Sequence, residues 1–395
     1  MPGRFSAVGM ESTEVSNLSK FNHHSRQERF GALLGERGID LAFFPVSGDL
    51  EYLTGFPRKV ASFGNIEHAH AWLLGGLIAP GKDPLFLVNQ GYASFNLPQG
   101  VEGDVVYVKN LDDSVNMFQE AIGRFGNLGT VGISARTWGT TAIQIMEAAA
   151  DARLVDVSDM LGQMRRIKEP IELEAMTTAS RICDAVMKEV TPLVAEGAME
   201  IAIAGEVDRL MQVHGGRTPS FDTGVWAMGP GSGRDATKRT SMDPLPSAVG
   251  VSFDFGTVVD GYCSDFGRTI HIGEPDGRYV DAYNTVIAAQ EAGRKAATPG
   301  TSAADVHSAV VSVIDEAGYG EWFRHRTGHC IGLDTHEKPF ISEEDQTLLE
   351  AGMTFTIEPS IFWPGTVGVR VEDLFVCAEN GAESLNDYPH EMVVV

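Results

Sequence analysis

Cysteine is scarce in this 395-residue chain: Cys183, Cys263, Cys330 and Cys377 stand apart, with no Cys-x2-Cys spacing. That excludes a disulfide framework or a zinc ribbon, and reduced thiols in a cytoplasmic protein are the simplest account. Basic residues are also few, 30 Lys and Arg against 54 Asp and Glu, and the formal net charge of −24 argues against nucleic acid and anionic membranes as partners. The acidity reads as surface solubility. No apolar run approaches about 18 residues, and the N-terminal stretch lacks a basic region followed by an apolar core, so neither a transmembrane span nor a secretion signal is expected. Residues 1 to about 20 read as a flexible lead. The glycine-rich stretch Gly229-Pro230-Gly231-Ser232-Gly233 does not follow the strand-then-helix plan of a phosphate loop, and Pro230 fits a turn better.

What is present is an ordinary globular composition, 43% hydrophobic and 21% charged, in a chain long enough for two domains with their own cores. Arg26 to Gly38 carries Phe30, Leu33 and Leu34 at helical spacing, and Leu41 to Val46, Ala71 to Ile78, Pro84 to Val88, Val105 to Val108 and Val131 to Ser134 are short β-type runs. An α/β domain of about 140 residues follows, with a boundary near residue 160. A long helix is expected from Pro170, which suits a first helical turn, to about Glu196. Further helices are expected at about 199–215, 276–297 and 302–318.

Five residues concentrate the chemistry: Asp254, Asp265, His329, Glu358 and Glu372. Asp254 and Asp265 sit in apolar alternation that reads as two strands joined by a turn near Val258 to Gly261, which places both carboxylates side by side. His329 stands among glycines in Gly328-His329-Cys330-Ile331-Gly332, where the backbone can approach a metal closely. Glu358 and Glu372 lie in the β-type runs Thr356-Ile357-Glu358-Pro359 and Val369-Arg370-Val371-Glu372-Asp373. Taken singly each has a bland role as turn former, strand end or solvated residue. Together, four carboxylates and one imidazole suit two small divalent cations; without metal so many buried negative charges would repel one another. Cys263 and Cys330 flank these residues, where a thiol could bind zinc, but a small packed side chain is the commoner role.

The run Asp254-x10-Asp265-x2-Arg268-Thr269, then Gly328-His329-x2-Gly332-x3-His336-Glu337-x-Pro339, then Ile357-Glu358-Pro359 and Val369-Arg370-Val371-Glu372-Asp373, resembles the pita-bread metallopeptidases, the aminopeptidase P, prolidase and methionine aminopeptidase group. Arg166-Ile167-Lys168-x3-Glu172 and Tyr52-Leu53-Thr54-Gly55-Phe56 extend the likeness over roughly residues 20 to 395. The resemblance implies a creatinase-type α/β N-terminal domain over residues 21–160. An α+β pita-bread catalytic domain with a curved antiparallel sheet would follow over 161–395. It implies two divalent ions, Mn, Co, Zn or Fe, about 3.5–4 Å apart, with a bridging hydroxide that attacks an amide carbonyl. Asp265 and Glu372 would bridge the ions, Asp254 would hold one, and His329 with Glu358 the other. Glu358 would receive the proton, His336 would stabilise the oxyanion, and Arg370 would orient Glu372. A homodimer is also implied, in which the N-terminal domain covers the partner's site. His68, His70 and Trp72, after Gly64-Asn65, are then either a lid over substrate or ordinary strand packing.

One departure bears on substrate. Peptidase members of the group carry a further histidine some seventeen to twenty residues before the first Asp, and here no histidine occurs between His214 and His271. Arg234, Lys238 and Arg239 occupy that region, as a solvated loop or, if they point inward, as a carboxylate-recognising group. Three readings stay open: an Xaa-Pro peptidase acting on a small peptide; a non-peptide enzyme acting on a small metabolite in the manner of creatinase, ectoine hydrolase or dimethylsulfoniopropionate lyase; and a binding protein that keeps the fold without catalysis.

Overall fold

The computed structural model describes residues 20–58, 69–96 and 101–395. The expected flexible lead, and Gly64, Asn65 and His68, lie outside the described residues. Described residues up to Met160 form one compact unit and those from Leu161 another.

In the first unit six strands, β1 (Leu41–Pro45), β2 (Gly75–Ile78), β3 (Leu85–Asn89), β4 (Asp104–Val108), β5 (Thr130–Ile133) and β6 (Arg153–Asp156), form a mixed sheet of order β4-β3-β2-β1-β5-β6. Its core gathers Leu41, Phe43, Leu77, Leu87, Phe118 and Val131. The helix His23–Glu36 starts where the Asn22 side chain accepts from the Ser25 N–H, and it buries Phe30 and Leu34. The extended run expected over Ala71 to Ile78 is divided: Ala71–Leu73 forms a short 3-10 turn and only Gly75–Ile78 is strand. The turn swings Trp72 edge-on to Phe118, ring centroids 5.0 Å apart, so side-chain packing overrides local β propensity. His70 meets the Asn110 carbonyl at 3.2 Å.

In the second unit the helix Ser158–Arg166 leads into the helix Pro170–Val190, whose Glu172 carboxylate accepts from the Glu169 N–H at 2.6 Å. It stops six residues before the expected Glu196, because Pro192 in the 3-10 turn Thr191–Leu193 lacks the N–H a continuing helix needs. Helices Glu200–Val213, Gly277–Ala296 and Ala303–Glu316 follow. The strands are β7 (Gly224–Met228), β8 (Val249–Phe255), β9 (Val258–Val259), β10 (Tyr262–Cys263), β11 (Phe266–Ile272), β12 (Gly328–Cys330), β13 (Glu337–Ile341), β14 (Thr354–Ile357), β15 (Ser360–Trp363), β16 (Val367–Arg370), β17 (Asp373–Val376), β18 (Glu383–Ser384) and β19 (Val393–Val394). They build sheets of order β19-β11-β8-β7 and β13-β12-β14-β17-β18, antiparallel except where β19 runs along β11, with a ribbon β15-β16. An isolated bridge between Gly267 and Glu372 joins the two larger sheets. This is the α+β pita-bread arrangement, and its seam is where the site lies. Packed behind it are Val286, Val310, Phe355 and Ile357 on one side and Val186, Val207, Val251 and Phe253 on the other.

Candidate metal centre

β8 and β11 pair antiparallel with Asp254 opposite Gly267, and the chain between them folds into the β9-β10 hairpin, turned at Asp260 (φ 49°) and Gly261 (φ 87°). Phe253 and Phe255 enter the core while Asp254, pointing to the other face of the strand, enters the seam. A Cβ at Gly267 would stand 2.8 Å from Glu372 Oε2 and 3.1 Å from Arg370 Cδ, so those side chains would have to shift. Its bare backbone lets the Glu372 carboxylate settle against β11.

The five residues picked out by motif converge. Asp254, Asp265 and Glu372 each offer a carboxylate oxygen, all within 4.8 Å of one another. His329 Nε2 lies 3.4 Å from Asp265 and 3.7 Å from Glu358. All five are less than a tenth exposed. His329 Nδ1 sits 3.1 Å from the Cys330 carbonyl, which places a proton on Nδ1 and leaves Nε2 facing the carboxylates. Buttressing is extensive: Arg268 donates to the Glu372 carbonyl at 2.6 Å, Gln290 to the Ile357 carbonyl at 3.1 Å, and Thr356 Oγ1 receives the His329 N–H at 3.1 Å.

Electrically the cluster is unfinished. Burial, followed by the charges of Asp265, Glu358 and Asp254, pushes the Glu372 carboxyl well above its usual range. Burial likewise raises Asp265 and Glu358 against the opposing pull of His329 and Arg370. For His329 burial acts downward, but the hydrogen bond to Asp265 and the charge of Glu358 outweigh it and the imidazole is raised. Asp265 Oδ1 and Glu372 Oε2 are buried without a hydrogen-bond partner. Oxygen-rich donors with one imidazole, and two buried lone oxygens among them, fit hard or borderline divalent cations.

Arg370 approaches Asp254 most closely, donating to Oδ2 at 2.6 Å, with Glu358 at 3.5 Å and Glu372 at 3.7 Å. Arg370, expected to orient Glu372, thus reaches it at 3.7 Å while its shortest bond braces Asp254. His336 lies beside His329, ring centroids 4.3 Å apart, on the wall of a cavity of about 1000 Å³ that opens from the cluster. Burial, then the His329 charge, holds His336 down to about 4, so it is a neutral imidazole near neutral pH.

The three basic residues standing where a histidine is missing part company. Arg234 forks onto the fully buried Glu200 at 2.7 and 2.9 Å, and Lys238 pairs with Asp243 at the surface. Of these three, only Arg239 lines the cavity; it rests 4.2 Å above the Trp226 ring and donates to Asp254 Oδ2 at 2.9 Å. Cys263 and Cys330 are buried and off the cavity wall, and burial pushes the Cys330 thiol up to about 12. Motif reading passed over His325. Its Nε2 is 2.6 Å from Ser360 Oγ and 3.4 Å from Arg370, its Nδ1 2.7 Å from the Arg326 carbonyl, and burial followed by Arg370 brings it down to about 3. The signal was the dense Phe323-Arg324-His325-Arg326 run just ahead of His329.

Such a cluster, buried at a sheet seam and facing a cavity, defines a metal-dependent hydrolase. The chain belongs to metallopeptidase family M24, whose model matches residues 174–379, and residues 26–167 match the creatinase/prolidase N-terminal domain. It is 28% identical over 373 residues to a putative dipeptidase, YkvY, of Bacillus subtilis, covering 94% of this chain and all of that one. To an Xaa-Pro dipeptidase of Pyrococcus furiosus it is 34% identical over 280 residues, 70% of this chain and 79% of that one. Among solved structures it resembles a recombinant prolidase from Thermococcus sibiricus, with a TM-score of 0.85 and 27% identity over 95% of this chain and all of that one.

Proposed function

We propose that the protein is an Xaa-Pro dipeptidase with a dinuclear centre held by Asp254, Asp265, His329, Glu358 and Glu372. The observation that carries this reading is the pair of buried oxygens without a hydrogen-bond partner, Asp265 Oδ1 and Glu372 Oε2, in a cluster that opens onto a cavity. Divalent ions bound there supply Lewis acidity toward the scissile carbonyl and a lowered pKa for the attacking water. Glu358, its carboxyl raised by burial, takes up the proton of that water and passes it to the departing amine. His336, neutral and on the cavity wall, donates a hydrogen bond to the oxygen that gains charge. Arg370 and Arg239 hold Asp254 from two sides, and His325, neutral and accepting from Ser360, keeps Arg370 in place. The ions are proposed to be drawn from Mn²⁺, Co²⁺, Zn²⁺ and Fe²⁺ and the working form to be a homodimer, as the resemblance implies, in the cytoplasm, where the four thiols stay reduced.

The lack of a histidine between His214 and His271 favours a second reading, in which Arg239 in that region serves a small non-peptide metabolite. One assay separates the two. Protein supplied with Mn²⁺ or Co²⁺ is expected to cleave Xaa-Pro dipeptides, and absence of turnover on every such peptide, with two metal ions bound per chain, would leave the metabolite reading. Fewer than one bound ion per chain in metal-replete buffer would remove both.

A further inference from the structure

Four arginines line the cavity, and one is held in a way that its partners do not explain. Arg324 forks onto Asp235 at 3.0 and 2.5 Å, and Arg326 lies 4.5 Å from the centroid of the Phe340 ring. Arg370 and Arg239 both donate to Asp254 Oδ2, at 2.6 and 2.9 Å. Arg370 is buried, its side chain 7% exposed, and it already gives Asp254 a countercharge. Arg239 is 40% exposed on the cavity wall, and its Nη2 has no hydrogen-bond partner among the described residues. A second guanidinium on one oxygen is redundant as a brace; what Arg239 adds is an open edge.

The backbone on either side of it is pinned. The Lys238 carbonyl accepts from Arg234 at 2.9 Å, and Arg234 is itself forked onto Glu200. Thr240 adopts φ 52°, a left-handed conformation that a β-branched residue rarely takes. Its N–H donates to the Val225 carbonyl at 2.7 Å and its Oγ1 to the Thr223 carbonyl at 3.0 Å, while Oγ1 accepts the Val225 N–H at 3.2 Å. The Ser241 N–H then donates to Glu200 at 2.7 Å. Strained backbone persists only where its surroundings over-determine it, and these anchors close on a single side chain. Trp226, fully buried on β7, takes the Arg239 guanidinium on its face at 4.2 Å and fixes its plane. Nη1 and Nη2 share one carbon, so the free N–H groups stand beside Asp254, at the rim of the metal cluster.

We infer that Arg239 is a catalytic residue, whose Nη2 donates to the oxygen of the scissile carbonyl as that oxygen gains charge. Water adds to the carbonyl carbon and gives a proton to Glu358, and the carbonyl electron pair moves onto the oxygen. Arg239 keeps its own proton throughout. The pair returns as the C–N bond breaks, and the amine leaves with the proton from Glu358. A cation already stacked and aimed needs no rearrangement while the charge develops, which is what makes such a donor effective. This inference rests on the dipeptidase reading and deepens it.

The test compares the parent with Arg239→Gln, both metal-loaded, on Ala-Pro. A donor that acts only as charge develops predicts kcat about 10²–10³-fold lower in the variant, with KM little changed. Arg239→Lys should regain part of the loss as a point charge without the planar stack. Elemental analysis should find the same bound metal in parent and variant, since Arg370 still holds Asp254. A further readout needs no turnover: by calorimetry, inorganic phosphate, a tetrahedral oxyanion, should bind the metal-loaded parent about 10- to 100-fold tighter than Arg239→Gln. An unchanged kcat overturns the inference, and so does a loss confined to KM. A fall in bound metal that matches the fall in rate also overturns it, because Arg239 would then be only a brace for Asp254. Should the parent cleave no Xaa-Pro dipeptide, the dipeptidase reading has failed, and the phosphate measurement decides Arg239 separately. Tighter binding by the parent sustains its role toward a charged oxygen, and equal binding removes it.

Discussion

Glu372 and Asp373 are neighbours in sequence, equally buried, and electrically opposite. The Glu372 carboxyl is raised well above its ordinary range, by burial and by the charges of Asp265, Glu358 and Asp254, and its Oε2 has no hydrogen-bond partner. Burial pushes Asp373 upward too, but Arg268 and then His390 outweigh it and the carboxyl is lowered. Its oxygens accept from Arg268 Nη2 at 2.6 Å, Gln290 Nε2 at 3.1 Å and His390 Nε2 at 2.6 Å. Strand geometry sends consecutive side chains to opposite faces, so one acid meets the seam and the other a finished network. Burial of an acid therefore says little about function. Whether its oxygens are already satisfied says much more, since an unpaired buried polar group is expensive to keep.

The contrast is broken most severely at Glu372. Glu372→Gln keeps the shape but removes the charge, and the loaded enzyme should lose about 10³-fold or more in kcat/KM, with bound metal by elemental analysis falling in parallel. The metal-free variant should melt no lower than the metal-free parent, because one repelling charge has left the cluster. Asp373→Asn should do the reverse. It leaves Arg268 buried without a countercharge, at a cost of about 3–5 kcal/mol in chemical denaturation, while metal stoichiometry in the folded fraction stays unchanged. A smaller effect is expected of Gln290→Leu, which strips a donor from the Ile357 carbonyl and from Asp373. About 1–3 kcal/mol should be lost in the same measurement. Equal denaturation midpoints for the parent and Asp373→Asn would erase the distinction between the two acids.

Much of this was legible in the chain. Alternation around Asp254 and a turn near Val258 to Gly261 point to paired strands, and β8 and β11 do pair, but Val258 and Val259 belong to an extra two-residue ribbon, β9-β10, that the pattern alone does not separate. The five residues of the cluster could be grouped because each sits in its own short motif, and the structure brings them to one seam. Other features depended on contacts distant in sequence. Trp72 lies in a 3-10 turn because Phe118 receives it, and Arg234 is spoken for because Glu200, thirty-four residues earlier, is fully buried beneath it. Arg326 and His325 escaped notice for a related reason: nothing in a sequence distinguishes an arginine that has found a carboxylate from one that has not. The helix from Pro170 ends short of the expected Glu196 because Pro192 forbids the next hydrogen bond, although apolar spacing continues past Val190.

The two kinds of acid also predict opposite pH responses. Asp373 and Glu337 are lowered, Glu337 because Arg165 and Lys168 override its burial, so each contributes stability that is present above the ordinary carboxylate range and is lost as pH falls through the lowered value. Asp265, Glu358 and Glu372 are raised in the metal-free protein, and His329 is raised with them. Groups of that kind bind more protons when folded than when unfolded, so their contribution is present at low pH and is lost as pH rises through the raised values. Chelated protein should therefore melt at a falling temperature as pH rises from the ordinary carboxylate range through the raised values, on top of the acid-side loss that both forms share. Cation binding needs these carboxylates ionised and the imidazole neutral, so the metal-loaded protein should show no such decline over the same range. Melting curves that run parallel with and without chelator would mean that the seam is no more strained than the Asp373 network, and the two oxygens without hydrogen-bond partners would no longer point to metal.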